Sequence, residues 1–389
     1  MNRRVFFAAT TAGALGANDR LRGAVIGSGG RGRLLTAEFK EIGVEMAAVC
    51  DVYEPNLAAG LKAASTGARP YDNYQRLLED KSIDLVVVAT PDHWHAQMTA
   101  DAVEAGKDVY LEKPMAHTIA EGFRIVEAVR RTQRVVQVGT QRRSYDIFRE
   151  AKQIMDSGAV GEVRLVNSWW LNQTPAALTA QPPAGKLDWE QWLGPAPRRP
   201  LDPVRFSQWY WFWDYSGGMM VGQAAHVIDT IHWLMNSTYP VAVTCAGKLS
   251  MTGAEVPETT SMAIEYPGYL AVFTVGYKAM RYATTIDQLK QFHGSKARFD
   301  VGRESYALYP EDPKTLELKP TVEKRLPGSF PPATRAHIRN FLECVRSRQD
   351  PNATVEMGQS TNIVLCMALE ALRSGRRLRY NSQRRAMEG

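Results

Sequence analysis

A doubly wound parallel α/β sheet at the N-terminal end, followed by an α+β domain with a large, mainly antiparallel open sheet, is the architecture this sequence predicts. Three observations predict it. From Leu21 to residue 143, short apolar runs alternate with helical periodicity, as successive βα units do. One of those runs, Asp84–Thr90, is apolar almost throughout, as a strand buried on both faces must be. Beyond residue 144 the alternation stops, and longer strand-like runs and a Pro- and Trp-rich stretch replace it.

The elements follow in order. Arg22–Ile26 reads as a strand, Leu34–Ile42 as a helix, Val44–Asp51 as a strand and Glu54–Ser65 as a helix. Tyr74–Asp80 is a short helix, then come strand Asp84–Thr90, helix Ala96–Ala105, strand Asp108–Leu111, helix Ile119–Thr132 and strand Val135–Gly139. These elements make a first domain, residues 19–143. In the second, residues 144–389, a helix ends over Ala151–Ser157 and Glu162–Gln173 is a long strand. Pro175–Phe212 has little periodicity, and a helix covers His226–Met235. Strands are expected at Val241–Leu249, Thr260–Tyr266 and Leu270–Tyr277. Helices Thr334–Arg348 and Val355–Ser374 close the chain.

Composition narrows the function. With 389 residues, 44% hydrophobic and 23% charged, the chain is an ordinary globular protein long enough for two or three domains. The formal charge of +6 includes a basic tail (Arg376, Arg377, Arg379, Arg384, Arg385) that reads as a solvated end. No Lys/Arg stripe is interleaved with aromatics, so no nucleic-acid partner is expected. Cys50, Cys245, Cys344 and Cys366 are widely spaced and read as small buried hydrophobes. No H-E-x-x-H or Cys/His cluster occurs, so no metal is expected. No stretch approaches the roughly 20 apolar residues of a membrane span.

Residues 1–18 read as an address label. Arg3-Arg4, followed by Phe6-Phe7 and an Ala/Thr/Gly run, resembles a bacterial twin-arginine export signal. The expectation is a periplasmic protein, exported already folded; an inactive leader would leave it in the cytoplasm.

Chemistry begins at Gly27-Ser28-Gly29-Gly30-Arg31-Gly32, a G-x-G-x-x-G between a strand and a helix. The first glycine permits the tight turn, the second lets backbone approach a pyrophosphate, and the third allows close helix packing. The helix start then presents free N–H groups to the phosphates. Asp51 ends the next strand about 20 residues on, where a carboxylate accepts bonds from ribose hydroxyls and repels a 2′-phosphate. No arginine follows in Val52–Leu57 and Glu54 adds negative charge, so NAD is expected in a Rossmann domain, with NADP disfavoured. A glycine-rich turn without ligand is the plain alternative.

Three further motifs sit at the carboxyl ends of later strands, where open α/β sheets bind ligands: ATPDHWH (Ala89–His95), EKP (Glu112-Lys113-Pro114) and VGTQRR (Val138–Arg143). With H-x-x-D at His226 and Asp229, the chain resembles the glucose–fructose oxidoreductase, inositol dehydrogenase and MocA (Gfo/Idh/MocA) family over nearly all its length after the leader. The resemblance implies that Lys113 reaches the reacting sugar carbon and the nicotinamide. It implies that Thr90, Pro91 and His95 line the cofactor with Glu112 and Gln141 nearby, and that His226 is the lysine's proton partner at the substrate hydroxyl. Many relatives carry an acidic residue four before this histidine; here Gly222 stands there, followed by Gln223.

Physical chemistry supports Lys113 independently. A buried lysine beside a positively charged oxidised ring loses part of its proton affinity, and can take the alcohol's proton or hold the alkoxide. A surface lysine paired with Glu112 or Asp108 is the bland alternative, as internal packing is for His226. Eight of the nine tryptophans lie between Trp169 and Trp233; they suit the faces of sugar rings or a packed core equally. Arg142, Trp213, Tyr215, Gln223 and Asp229 are the substrate candidates. The leading expectation is a NAD-dependent oxidoreductase acting on a sugar, polyol or sugar derivative. A redox-neutral NAD-dependent glycoside hydrolase and a non-catalytic sugar or NAD sensor stay open. Self-association as a homodimer or homotetramer through the second-domain sheet is expected.

Overall fold

A computed structural model describes residues 20–172, 175–277, 288–315, 317–326 and 331–389. The predicted leader, residues 1–18, and the end of the strand predicted to reach Gln173 lie outside the described residues.

The first sheet has six parallel strands: β1 (Arg22–Ile26), β2 (Glu45–Cys50), β3 (Arg69–Tyr71), β4 (Leu85–Val88), β5 (Asp108–Leu111) and β6 (Val136–Val138). Their order is β3-β2-β1-β4-β5-β6, so the chain reverses direction across the sheet between β1 and β4. Ligands bind at such a switch point, outside the carboxyl ends of the strands. β4 is apolar and fully buried, as expected of a strand covered on both faces. Strand β3 escapes sequence reasoning because Arg-Pro-Tyr has no apolar run. It is an edge strand, where a proline that cannot donate to the ladder is tolerated.

Three helices begin earlier than periodicity suggests. The first runs Gly30–Glu41, so the last glycines of the turn form its first turn. The fourth runs Asp92–Glu104, which puts His93 and His95 on a helix and not in a loop. The third case is Gly218–Met235, which places His226 more than two turns inside the helix. Its residues are buried on nearly every side, so there is no polar face whose onset would mark the start. By contrast, Ile119–Thr132 starts where expected, at a capping box between Thr118 and Glu121.

The second sheet comprises β7 (Val163–Asn172), β8 (Ala242–Lys248), β9 (Thr259–Tyr266), β10 (Tyr269–Tyr277), β11 (Lys290–Gly294), β12 (Ala297–Val301), β13 (Ser305–Pro310), β14 (Val322–Arg325), β15 (Leu378–Asn381) and β16 (Ala386–Glu388). Their order is β14-β13-β12-β11-β7-β10-β9-β8-β15-β16. Strands β7 and β10 pair in parallel; the pairs on either side, such as β10–β9 and β11–β7, are antiparallel. Val166, Ile264, Ala271 and Phe273 on one sheet face pack with Ala224, Val227 and Ile231 of the Gly218–Met235 helix in a continuous core.

Two features tie the halves together. Ile338, Phe341 and Leu342 of the helix Pro331–Ser347 enter the core of the first sheet beside Val25, Phe39 and Tyr110. The aromatic-rich stretch forms a small core of its own around Trp192, Trp211, Phe212 and Tyr215, with Met251 and Val256. Among the described residues, no helix is long and apolar enough to cross a membrane, and no group of His, Cys, Asp and Glu is placed to hold a metal ion.

Candidate active site

The glycine turn sits at the switch point, and each glycine there is explained by what a side chain would meet. Gly27 has φ +85°, and a Cβ on it would lie 2.8 Å from the Ala89 carbonyl oxygen. At Gly32 a Cβ would come within 1.9 Å of the Gly27 carbonyl oxygen, so the helix can pack only as glycine. Gly29 and Gly30 have nothing within 4 Å of such an atom. They face open space, and with Arg31 they floor a cleft of about 470 Å³ also lined by Asp51, Tyr53, Asn56, Pro91, Trp94 and Trp192.

Ser28 and Gly32 do not line that cleft. Ser28 is buried and braces Asp51: its amide donates to Asp51 Oδ2 at 2.7 Å, and its hydroxyl donates to the Asn56 carbonyl at 2.8 Å. Asp51 Oδ1 accepts from the Tyr53 amide at 2.9 Å. Burial raises the Asp51 pKa, while these donors and Arg33 oppose that rise. Asp51 thus anchors the turn and forms part of the cleft wall.

A second cleft of about 440 Å³ is lined by Glu112, Lys113, Gln141, Gln223 and His226. Both clefts share Arg31, Ala89, Thr90 and Trp209, so they form one trough running from the glycine turn to the lysine. Lys113 Nζ donates to the Gly222 carbonyl at 3.1 Å. Burial lowers the lysine's pKa, while Glu112 and Asp92 pull it back up. Burial, and then the positive charge of Lys113 and Arg142, hold His226 well below the usual histidine range. It is therefore neutral at neutral pH, able to accept or pass a proton. Its ring stacks on Trp170, centroids 6.1 Å apart, and among the described residues its buried Nδ1 has no hydrogen-bond partner.

Around this pair the supports are polar and exact in their pairing. Glu112 Oε1 lies 2.7 Å from both Nε and Nη2 of Arg31, and Gln141 Nε2 approaches the same oxygen at 3.5 Å. His95 bridges two carbonyls, Pro114 at 2.7 Å and Thr90 at 2.9 Å, and so clamps the lysine's loop to the Thr90 turn.

Four of the five substrate candidates are placed elsewhere. Arg142 is only 2% exposed, donates to Gln288 Oε1 at 2.9 Å and lies over the Phe148 and Trp170 rings. Asp229 pairs with Arg143 at 2.9 Å, both buried; it follows His226 on a helix surrounded on most sides, and its direction leads to the arginine. Tyr215 is fully buried, edge-on to Trp192 and against His93. Trp213 is covered by the Arg373 guanidinium at 4.3 Å. Gln223 alone of the five lines the trough. Sequence reasoning missed Asp92, Tyr210 and Ser216, which do line it; Asp92 stood in plain view inside ATPDHWH. The tryptophans divide: Trp209 and Trp192 border the trough, while Trp211 is core.

Comparison with known proteins agrees with this geometry. Residues 21–140 match a family model described as an oxidoreductase family with an NAD-binding Rossmann fold, and residues 148–300 match the C-terminal domain model of the same family. Inositol 2-dehydrogenase of Salmonella paratyphi B is 28% identical over 198 residues, covering 51% of this chain and 48% of that enzyme. Inositol 2-dehydrogenase 2 of Saccharopolyspora erythraea is 39% identical over 147 residues, 37% of this chain and 43% of that one. The chain thus spans about half the length of the curated relatives it matches. The WlbA dehydrogenase of Bordetella pertussis, solved with NADH and UDP-GlcNAcA, superposes with a TM-score of 0.71 at 20% identity, covering 93% of this chain and 99% of that one. At that identity the likeness is one of fold.

Proposed function

The chain belongs to the Gfo/Idh/MocA oxidoreductase family, and from that premise we propose that it is an NAD-dependent oxidoreductase acting on a CH–OH group of a sugar, polyol or sugar derivative. The observation that carries the reading is the single trough with the glycine turn at one end and Lys113 and His226 at the other.

NAD fits the residues present. The open space at Gly29 and Gly30 leaves the first N–H groups of the Gly30–Glu41 helix facing a pyrophosphate, and the Asp51 carboxylate suits an unphosphorylated ribose. Bound there, NAD supplies a hydride acceptor, and its reduced form a donor, for the carbinol carbon. The chain's own residues manage the proton. Lys113, with its proton affinity lowered by burial, takes the hydroxyl proton or holds the alkoxide through its ammonium. Neutral His226 on the facing helix passes that proton onward, and Trp209 and Tyr210 wall the substrate end from water. His95 and Glu112 hold Lys113 in place.

The oxidoreductase reading is preferred over the redox-neutral hydrolase and the sensor because the intact Glu112-Lys113-Pro114 segment and His226 line one trough with the glycine turn. Arg3-Arg4 supports export to the periplasm. Self-association through the ten-stranded sheet is supported by side chains such as Leu270, 37% exposed, and Val272 on the face away from the helix. The activity is tested by screening polyols and sugars for NAD-dependent formation of reduced nicotinamide. A protein that binds NAD yet turns over no such alcohol would overturn the reading.

A further inference from the structure

The cleft beside the glycine turn has a wall that the first domain does not supply. Asp51 follows β2 and Lys113 follows β5, on opposite sides of β1, so the part of the trough beside Asp51 is its adenosine half. There the cleft that contains Gly29 and Gly30 is also lined by Gln191, Trp192, Phe206, Ser207 and Trp209, all from the second domain.

The same stretch is latched to the loop directly after Asp51. The Glu54 amide donates to the Lys186 carbonyl and the Asp188 amide to the Val52 carbonyl, both at 2.9 Å, and Tyr53 and Leu187 form an antiparallel bridge between them. The Tyr53 hydroxyl donates to the Ala184 carbonyl at 2.9 Å, and its ring meets Phe206 edge-on, centroids 5.1 Å apart. Further along, Asn73 Nδ2 donates to Gln191 Oε1 at 3.2 Å, and Trp94 Nε1 donates to the Trp192 carbonyl at 2.9 Å. Gly194, at φ +51°, lets the chain lie against that indole: a Cβ there would come within 2.0 Å of the Trp94 ring. Among the described residues, the small core around Trp192 and Trp211 draws only Val52 from the first domain. The seam is therefore held mainly by hydrogen bonds and ring contacts, and can part while the stretch keeps its own packing.

We propose that residues 184–209 are a strap from the second domain that closes the adenosine half of the dinucleotide site, so that both domains grip NAD and the cofactor leaves only when the strap lifts. This rests on the reading of the trough as an NAD site. Ordinary packing between domains would account for a seam anywhere on their boundary. This one is anchored on the three residues that follow Asp51 and places its own side chains along the same cleft as the glycine turn.

A disulfide across the seam tests the strap without any substrate. The two flanking bonds make Tyr53 and Leu187 a non-hydrogen-bonded pair, whose Cα atoms sit about 4.5 Å apart, inside the disulfide range of about 4.4–6.8 Å. The double variant Tyr53→Cys with Leu187→Cys is loaded with NADH and oxidised, and the crosslink is verified by peptide mass. Release is then followed by nicotinamide fluorescence on chasing with excess NAD. The expected result is release at least about tenfold slower from the oxidised than from the reduced form of the same protein, with dithiothreitol restoring the faster rate. Phe206→Ala, which strips one second-domain side chain from the cleft, is the second variant and should release NADH several-fold faster than the native chain. Equal release from the oxidised and reduced forms would overturn the proposal, as would a native rate in Phe206→Ala should the crosslink not form. The two readings fail separately: native protein that binds no NADH sinks the dinucleotide site itself, whereas tight binding with release indifferent to the crosslink sinks only the strap.

Discussion

Arg31 and Glu112 join the two ends of the trough: two guanidinium nitrogens of an arginine in the glycine turn, Nε and Nη2, reach one oxygen of the residue preceding Lys113, at 2.7 Å each. The cofactor turn and the lysine loop are therefore held in register by one ion pair, 6% exposed on the Glu112 side and 36% on the Arg31 side. Glu112→Gln leaves a partly buried guanidinium without its counter-charge. Loss of a fully buried partner costs about 3–5 kcal/mol, and the exposure of Arg31 reduces this to about 1–2 kcal/mol. Urea unfolding should register that loss. An unchanged midpoint would show the pair to be ornamental.

Asp51 makes a prediction about cofactor choice. Its carboxylate lines the cleft, and Arg33, whose charge acts on it, is engaged with the Ser28 carbonyl at 2.9 Å. Purified protein should bind NAD at least about tenfold more tightly than NADP. Calorimetry with both dinucleotides decides it, and equal affinities would remove Asp51 from the selective role.

Acid should destabilise this protein for a reason visible in its histidines. Burial pushes His93 and His232 down to about 3 and His337 to about 4, and His226 is also held well below its ordinary value. The sign follows from linkage: the unfolded chain binds protons near pH 6.5 that the folded chain refuses. Stability is therefore complete above that pH and falls as pH drops toward the folded values, by up to about 1.4 kcal/mol per pH unit for each histidine. Asp51 and Asp229, whose pKa values burial raises, act in the opposite sense only nearer the carboxylate range. Unfolding midpoints measured at pH 7.5, 6.5 and 5.5 (roughly spanning the histidine range) should decline with increasing steepness; a flat profile would contradict neutral burial.

Export is a separate question from chemistry. Residues 1–20 fused to a folded reporter should carry it to the periplasm, and lysine at positions 3 and 4 should stop it. A reporter retained in the cytoplasm with the native leader would assign the protein there.

What could be read from the chain, and what could not, divides along sequence distance. The glycine turn and Asp51 were legible because their requirements are local: a turn with φ +85° at Gly27, a helix start, and an acid at the end of the next strand. Strand β3 was not, since an edge strand carrying proline has no period to detect. The partners that remove Arg142 and Asp229 from the substrate list are Gln288 and Arg143, 146 and 86 residues away, and no spacing rule spans such gaps. Lys113 and Gly222 are 109 residues apart as well; only the family resemblance brought His226 to the lysine in advance. Asp92 was passed over because the helix was expected to begin only at Ala96, which left the acid in a loop, whereas it is the helix's first residue.

Turnover of Lys113→Ala, His226→Ala and the double variant, on whichever alcohol the screen identifies, tests most directly whether these two residues form one proton-handling unit. Lys113→Ala should lower kcat by roughly 10²–10⁴-fold with NAD affinity preserved, because the phosphates are held by the glycine turn. The double variant should cost little more than the worse single one, since groups sharing one proton transfer are non-additive. Near-full activity in Lys113→Ala, or strictly multiplicative losses in the double variant, would contradict it.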